Sequence, residues 1–289
     1  MNLEGTFTAM VTPFGTDGKI DYGALRDFVE WQILNGVEGL VPVGTTGESP
    51  TLSVEEHLKV ISETVDQAKG RVKIIAGTGA NSTSEAIELT RCILNSGVDA
   101  TLQVTPYYNK PNAEGLYRHF SEVANVGVPV VLYNVPGRSG KEIPLSVVRK
   151  LSENPNIAAI KEAAGSVDRV SAIRSSCSLT VLSGDDTLAL PMISAGAKGV
   201  ISVASNIIPK EFSDFIRIAL SDDLYLAREL HLKYYPLFRD LFLDTNPICA
   251  KTALAKMGRI KPGFRLPLCE CAPEIDAQLT KTLADYNLI

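Results

Sequence analysis

Lys161 stands at the end of the apolar run Ile157-Ala158-Ala159-Ile160. Desolvation there disfavours the ammonium, raises the share of free amine and suits Schiff-base attack on a ketone. The alternative is a lysine that snorkels to a rim. A second group is Gly44-Thr45-Thr46-Gly47-Glu48-Ser49. Two glycines flanking two hydroxyls make a tight turn whose N–H groups and Thr oxygens can converge on an anion. With no lysine in the turn, a small carboxylate suits it better than a phosphate chain, although a plain Gly-rich turn would read the same. The third group is Tyr133-Asn134-Val135-Pro136-Gly137-Arg138. There a phenol can pass protons and a guanidinium can grip a carboxylate by two parallel bonds, or Tyr133 is a core aromatic and Arg138 a solvated charge. An amine, a proton relay and a carboxylate anchor together are what the imine of a keto acid requires.

These groups need a scaffold that brings them to one mouth. Eight short apolar runs read as strands: 6–11, 39–43, 72–76, 100–104, 128–133, 157–160, 179–182 and 199–203. They are nearly continuously apolar, as expected of parallel strands covered on both faces. The stretches between them read as helices, two of them opened by the capping boxes Ser53-Val54-Glu55-Glu56 and Ser82-Thr83-Ser84-Glu85. Eight strand-helix units predict a (β/α)8 TIM barrel over residues 1–220. A doubly wound open sheet would carry a G-x-G-x-x-G turn after its first strand, and this chain has Thr12-Pro13-Phe14-Gly15-Thr16-Asp17-Gly18 instead. Residues 221–289 read as a three-helix C-terminal extension packed on the barrel. Asn246-Pro247 is expected as the cap and first residue of one of its helices, and Pro273 as the opening of the last. Reactive groups of such barrels lie at the carboxyl ends of the strands, where all three groups fall. Gly184-Asp185-Asp186, after the seventh strand, reads as a helix cap with first-turn acids rather than a metal site.

Composition removes other classes of function. The 289 residues are 45% hydrophobic and 21% charged, which suits a large core and excludes disorder and collagen-like repeats. Lys and Arg number 28 against 33 Asp and Glu, for a net charge of −5, with no dense basic stripe, so nucleic acid is not an expected partner. Five cysteines and only three histidines argue for reduced thiols and against a metal site, the pair Cys269-Glu-Cys271 included. The start Met1-Asn2-Leu3-Glu4-Gly5 lacks an export signal, and the most apolar stretch, 188–204, is broken by Lys198. A cytoplasmic enzyme with no membrane span and no cofactor is expected.

The three groups, with Thr105-Pro106-Tyr107-Tyr108-Asn109-Lys110-Pro111 as a fourth, resemble the dihydrodipicolinate synthase / N-acetylneuraminate lyase family of pyruvate-dependent class I aldolases, from Thr8 to about Pro267. The resemblance implies an imine between Lys161 and pyruvate. It also implies a hydroxyl relay of Thr45, Tyr133 and Tyr108, with Tyr108 lent by a neighbouring subunit. By the same token Thr45 and Thr46 hold the pyruvate carboxylate, Arg138 binds the carboxylate of L-aspartate 4-semialdehyde, and the backbone at Gly184 and Ile201 helps to line the pocket. A homo-oligomer, a tetramer built from dimers, is implied. So is an L-lysine effector at Ser49, His57, Asn81, Glu85 and Tyr107, although Val54 stands where inhibited members carry a larger side chain. Sialic-acid or keto-deoxy sugar-acid aldolases of the same family commonly lack an arginine at the place of Arg138, and a non-catalytic barrel would show a gap in the constellation.

Overall fold

The computed structural model describes residues 1–221 and 223–289. Eight parallel strands close on one another in sequence order. They are β1 (Gly5–Ala9), β2 (Gly39–Val41), β3 (Lys73–Gly77), β4 (Ala100–Val104), β5 (Val130–Asn134), β6 (Ile157–Glu162), β7 (Thr180–Ser183) and β8 (Gly199–Ser202). The ring closes where β1 pairs with β8. This is the (β/α)8 barrel expected from the strand count, with helices around it.

The alternation of side chains along each strand divides the core in two. Phe7, Val41, Ile75, Leu102, Val131, Ala159, Leu182 and Ile201 form one buried cluster, the filling of the barrel. Leu40, Ile74, Val130, Leu132, Ile160, Val181 and Val200 have the opposite parity and pack with the helices. Tyr133 belongs to the first cluster. Lys161, two residues beyond Ala159, shares its inward parity, whereas Asn134 and Glu162 fall on the outward side.

Several strand ends differ from expectation, for local reasons. β2 stops at Val41 because Pro42 has no N–H to donate and Val43 turns to φ +51°, out of the extended region. β6 runs on through Lys161 and Glu162, so the lysine sits inside a strand rather than after one. After the barrel come helices Leu224–Asp240, Ile248–Lys256 and Pro273–Asp285. The last opens on Pro273 as read from the sequence.

The cap expected of Asn246 does not form. Pro247 takes the N-cap position, and the Asn246 amide group leaves the helix to donate to Thr46 Oγ1 at 2.9 Å.

Candidate active site

Lys161 and Tyr133 are direct partners in the β5–β6 ladder. Both side chains are buried, Lys161 at 6% exposure, and the lysine Nζ lies 4.3 Å from the centroid of the Tyr133 ring. Amine and phenol therefore share the mouth of the barrel through pairing of neighbouring strands.

Close packing keeps the lysine there. A Cβ on Gly184 would lie 2.5 Å from Ala163 Cβ and 3.0 Å from Lys161 Cε, so only glycine lets the chain after β7 approach this near. The next two residues take the places expected of them, Asp185 as N-cap and Asp186 as first-turn acid of the short helix Asp186–Leu188, but not the expected bonds. Neither acid bonds the helix start through its side chain. Burial pushes the Asp185 carboxyl up, opposed by the charge of Lys161 and the Gly165 N–H. Asp186 is fully buried and instead accepts from the N–H groups of Val203 and Ala204, at 3.1 and 2.8 Å, on the chain leaving β8. Burial raises its carboxyl to about 6.

The Thr45/Thr46 turn is held under strain. Val43 and Glu48, on either side of it, adopt left-handed φ values of +51° and +56°. Side chains other than glycine occupy that region at a cost of about 1–3 kcal/mol each, so surrounding contacts must impose it. Those contacts are present. Thr12 Oγ1 donates to the Gly47 carbonyl at 2.7 Å, and Asn246 grips Thr46. Lys251, from the C-terminal helices, forms an ion pair with Glu48 in which both side chains are almost fully buried. The Lys251 Nζ also lies 4.1 Å from the Phe14 ring centroid. Burial pulls this ammonium below its ordinary pKa, with the Glu48 charge opposing.

A cavity of about 400 Å3 opens beside the turn, lined among others by Thr45, Ser49, His57, Glu85, Tyr107 and Arg138. A smaller one of about 30 Å3 is shared by Thr45 and Tyr133. Arg138 is exposed, in the short turn Pro136–Ser139, and its Nη2 donates to the Asn246 carbonyl at 3.0 Å. Tyr108 behaves differently. It is 91% exposed at φ +69° on the loop after β4, while its neighbour Tyr107 faces the cavity. Ile201 is fully buried in the barrel filling.

The residues expected around an effector are only partly local. Asn81 Nδ2 donates to the Tyr107 carbonyl at 3.3 Å and Asn109 Nδ2 to the Asn81 carbonyl at 2.8 Å, which ties this loop down. His57 is buried, with Nε2 2.7 Å from the Gly77 carbonyl, so this nitrogen carries a proton. Burial lowers its pKa, opposed by the Gly77 carbonyl and the Glu85 charge. The capping box is made at Ser53–Glu56. At Ser82 it is not: the Ser82 hydroxyl bonds Ser84 Oγ at 2.9 Å, so this serine leaves its helix end uncapped.

A buried support behind the lysine escaped the sequence reading. Glu162 accepts from Asn134 Nδ2 at 2.8 and 3.0 Å and from Arg169 Nε at 2.8 Å, and Arg169 also bonds Glu142 and the Ile143 carbonyl. Burial pushes the Glu162 carboxyl up, with Arg169 opposing most strongly. The period of two offers the signal: Lys161 faces in, so Glu162 must face out and find a partner.

Comparison with known proteins agrees with this geometry. A family model described as the dihydrodipicolinate synthetase family matches residues 2–286. The 4-hydroxy-tetrahydrodipicolinate synthase of Hydrogenobaculum sp. is 49% identical over 290 residues, covering 99% of this chain and 100% of the relative. A dihydrodipicolinate synthase from Acinetobacter baumannii, solved in complex with pyruvate, superposes with a TM-score of 0.98 at 45% identity, covering all of both chains. The enzyme from Cyanidioschyzon merolae with lysine bound superposes at 0.96 and 38% identity, covering 99% of each. An inward lysine paired with a tyrosine across β5 and β6, a strained two-threonine turn and a match along nearly the whole length lead to one conclusion: the chain belongs to the dihydrodipicolinate synthetase family.

Proposed function

We propose that the chain condenses pyruvate with L-aspartate 4-semialdehyde, through an imine on Lys161, to give 4-hydroxy-tetrahydrodipicolinate, the entry step of diaminopimelate and lysine biosynthesis. The observation that carries this reading is the contact of the buried Lys161 amine with the Tyr133 ring beside the Thr45/Thr46 turn. The lysine amine attacks the keto carbon, and water leaves as the imine forms. The protonated imine then draws electrons from the methyl group, whose proton is lost to give an enamine. The enamine carbon attacks the aldehyde carbon, whose oxygen takes up a proton, and a protonated imine on Lys161 is regenerated. The amino group of the semialdehyde then attacks the imine carbon, closing the ring, and the Lys161 amine leaves with a proton as the cyclic product is released. Tyr133 and Thr45 are the hydroxyls assigned to these transfers. Thr45 and Thr46 are assigned to the pyruvate carboxylate, Arg138 to that of the second substrate, and the backbone of Gly184 and Ile201 to the wall of the pocket.

A third relay hydroxyl is assigned to Tyr108 of a neighbouring copy, supported by its exposure on a loop that its own fold leaves uncovered. This reading makes the working unit a homodimer, with a tetramer of two dimers as the assembly. L-Lysine is the proposed effector at Ser49, His57, Asn81, Glu85 and Tyr107, supported by the cavity that four of them share. Exposed Val54 on its wall supplies no polar partner, so inhibition is expected to be partial. The cytoplasm is the proposed compartment, supported by five free cysteines. Among the described residues no helix is long and apolar enough to cross a membrane.

A coupled assay separates the substrates. Pyruvate with aspartate semialdehyde should turn over and pyruvate with N-acetylmannosamine should not; the reverse would assign a sugar-acid aldolase.

A further inference from the structure

Asn246 belongs to neither the barrel nor a helix, yet it touches both anchors assigned to the substrates. Its side chain is buried, at 7% exposure, just before helix Ile248–Lys256. The Nδ2 group donates to Thr46 Oγ1 at 2.9 Å, and the main-chain carbonyl accepts from Arg138 Nη2 at 3.0 Å. A hydroxyl has one proton and two lone pairs. When an amide N–H occupies a lone pair of Thr46, the hydroxyl proton is left to donate elsewhere, and a carboxylate, which only accepts, is the group that needs it. The bond to Arg138 takes one of five guanidinium N–H donors and leaves the rest free for a second carboxylate.

We infer that Asn246 is a positioning residue, whose amide orients the Thr46 hydroxyl as a donor to the pyruvate carboxylate while its carbonyl steadies Arg138. The inference rests on the function proposed above. It gives the C-terminal helices a part in substrate recognition, since the loop between two of them carries Asn246.

The test is a double-mutant cycle read by borohydride trapping of the pyruvate imine, which does not involve the second substrate. Asn246→Ala should raise the half-saturating pyruvate concentration roughly three- to tenfold, the range of one lost hydrogen bond, with one adduct per chain still reached at saturation. The KM for aspartate semialdehyde should change less than about twofold, because the Arg138 bond runs to the main chain, which the substitution keeps. In a Thr46→Val background, Asn246→Ala should have no further effect, as expected of two groups acting through one contact. Asn246→Asp keeps the shape but can only accept, so it should also weaken pyruvate. An equal effect of Asn246→Ala with and without the Thr46 hydroxyl would reduce Asn246 to general support and overturn the inference. Trapping by Asn246→Asp at wild-type pyruvate concentrations would overturn it as well. Failure of the wild-type chain to trap pyruvate at all would instead refute the proposed function, and the inference with it.

Discussion

Replacing Lys251 by methionine keeps most of the side-chain volume and removes the ammonium facing Glu48. Both side chains are almost fully buried. Among the described residues Glu48 Oε2 has no hydrogen-bond partner even with the lysine present, so the substitution would leave a buried carboxylate without a compensating charge. Breaking a buried pair in this way costs about 3–5 kcal/mol. At about 2–4 °C per kcal/mol, the midpoint of thermal unfolding should fall by roughly 6–20 °C. The strained Thr45/Thr46 turn should loosen at the same time, so the variant should need more pyruvate for imine trapping than wild type. Glu48→Gln combined with Lys251→Met removes both charges and should recover most of the lost stability. Circular dichroism melts of the three proteins at one concentration make the comparison. A midpoint within about 2 °C of wild type for Lys251→Met, or a double variant no more stable than the single, would refute the reasoning.

Gly184→Ala should reduce turnover by about two orders of magnitude, because its new methyl group would press on Lys161 Cε and Ala163, and adding Ala163→Gly should restore part of the activity. Mixing Tyr108→Phe with Lys161→Ala chains should regenerate activity through hybrid dimers holding one intact site; no recovery despite proven subunit exchange would count against a shared relay. His119, whose pKa burial lowers to about 4, favours its neutral form in the folded chain. Its contribution is thus lost as pH falls from about 6.5 towards 4, and over that range wild type should lose about 3 kcal/mol more stability than His119→Gln in urea titrations.

What could be read from the sequence follows the range of the forces involved. The strands were legible because burial on both faces writes an apolar run at each, and eight runs with helices between them admit few closures. Lys161 and Tyr133 were legible because each ends such a run, and strand order makes them neighbours. The Ser82 box looked complete as a local pattern, but Ser84 offered its hydroxyl a nearer partner. Asp186 and Asn246 each stand beside a helix start in the sequence, yet their partners lie 17 and 200 residues away. No local rule exposes a choice made by tertiary packing. Lys251 was hidden for the same reason, since Glu48 is 203 residues distant and a lone lysine in a helix reads as solvated until the fold buries it.

Trapping with borohydride decides whether Lys161 carries the imine. Incubation with pyruvate and the reductant should add one reduced pyruvate unit per chain, and peptide mass mapping should find it on Lys161. Lys161→Ala and Lys161→Arg should both stay unlabelled, the latter because a guanidinium remains protonated and cannot attack as a free amine. An adduct that persists in Lys161→Ala, or that maps to another lysine, would show that Lys161 is not the imine-forming residue.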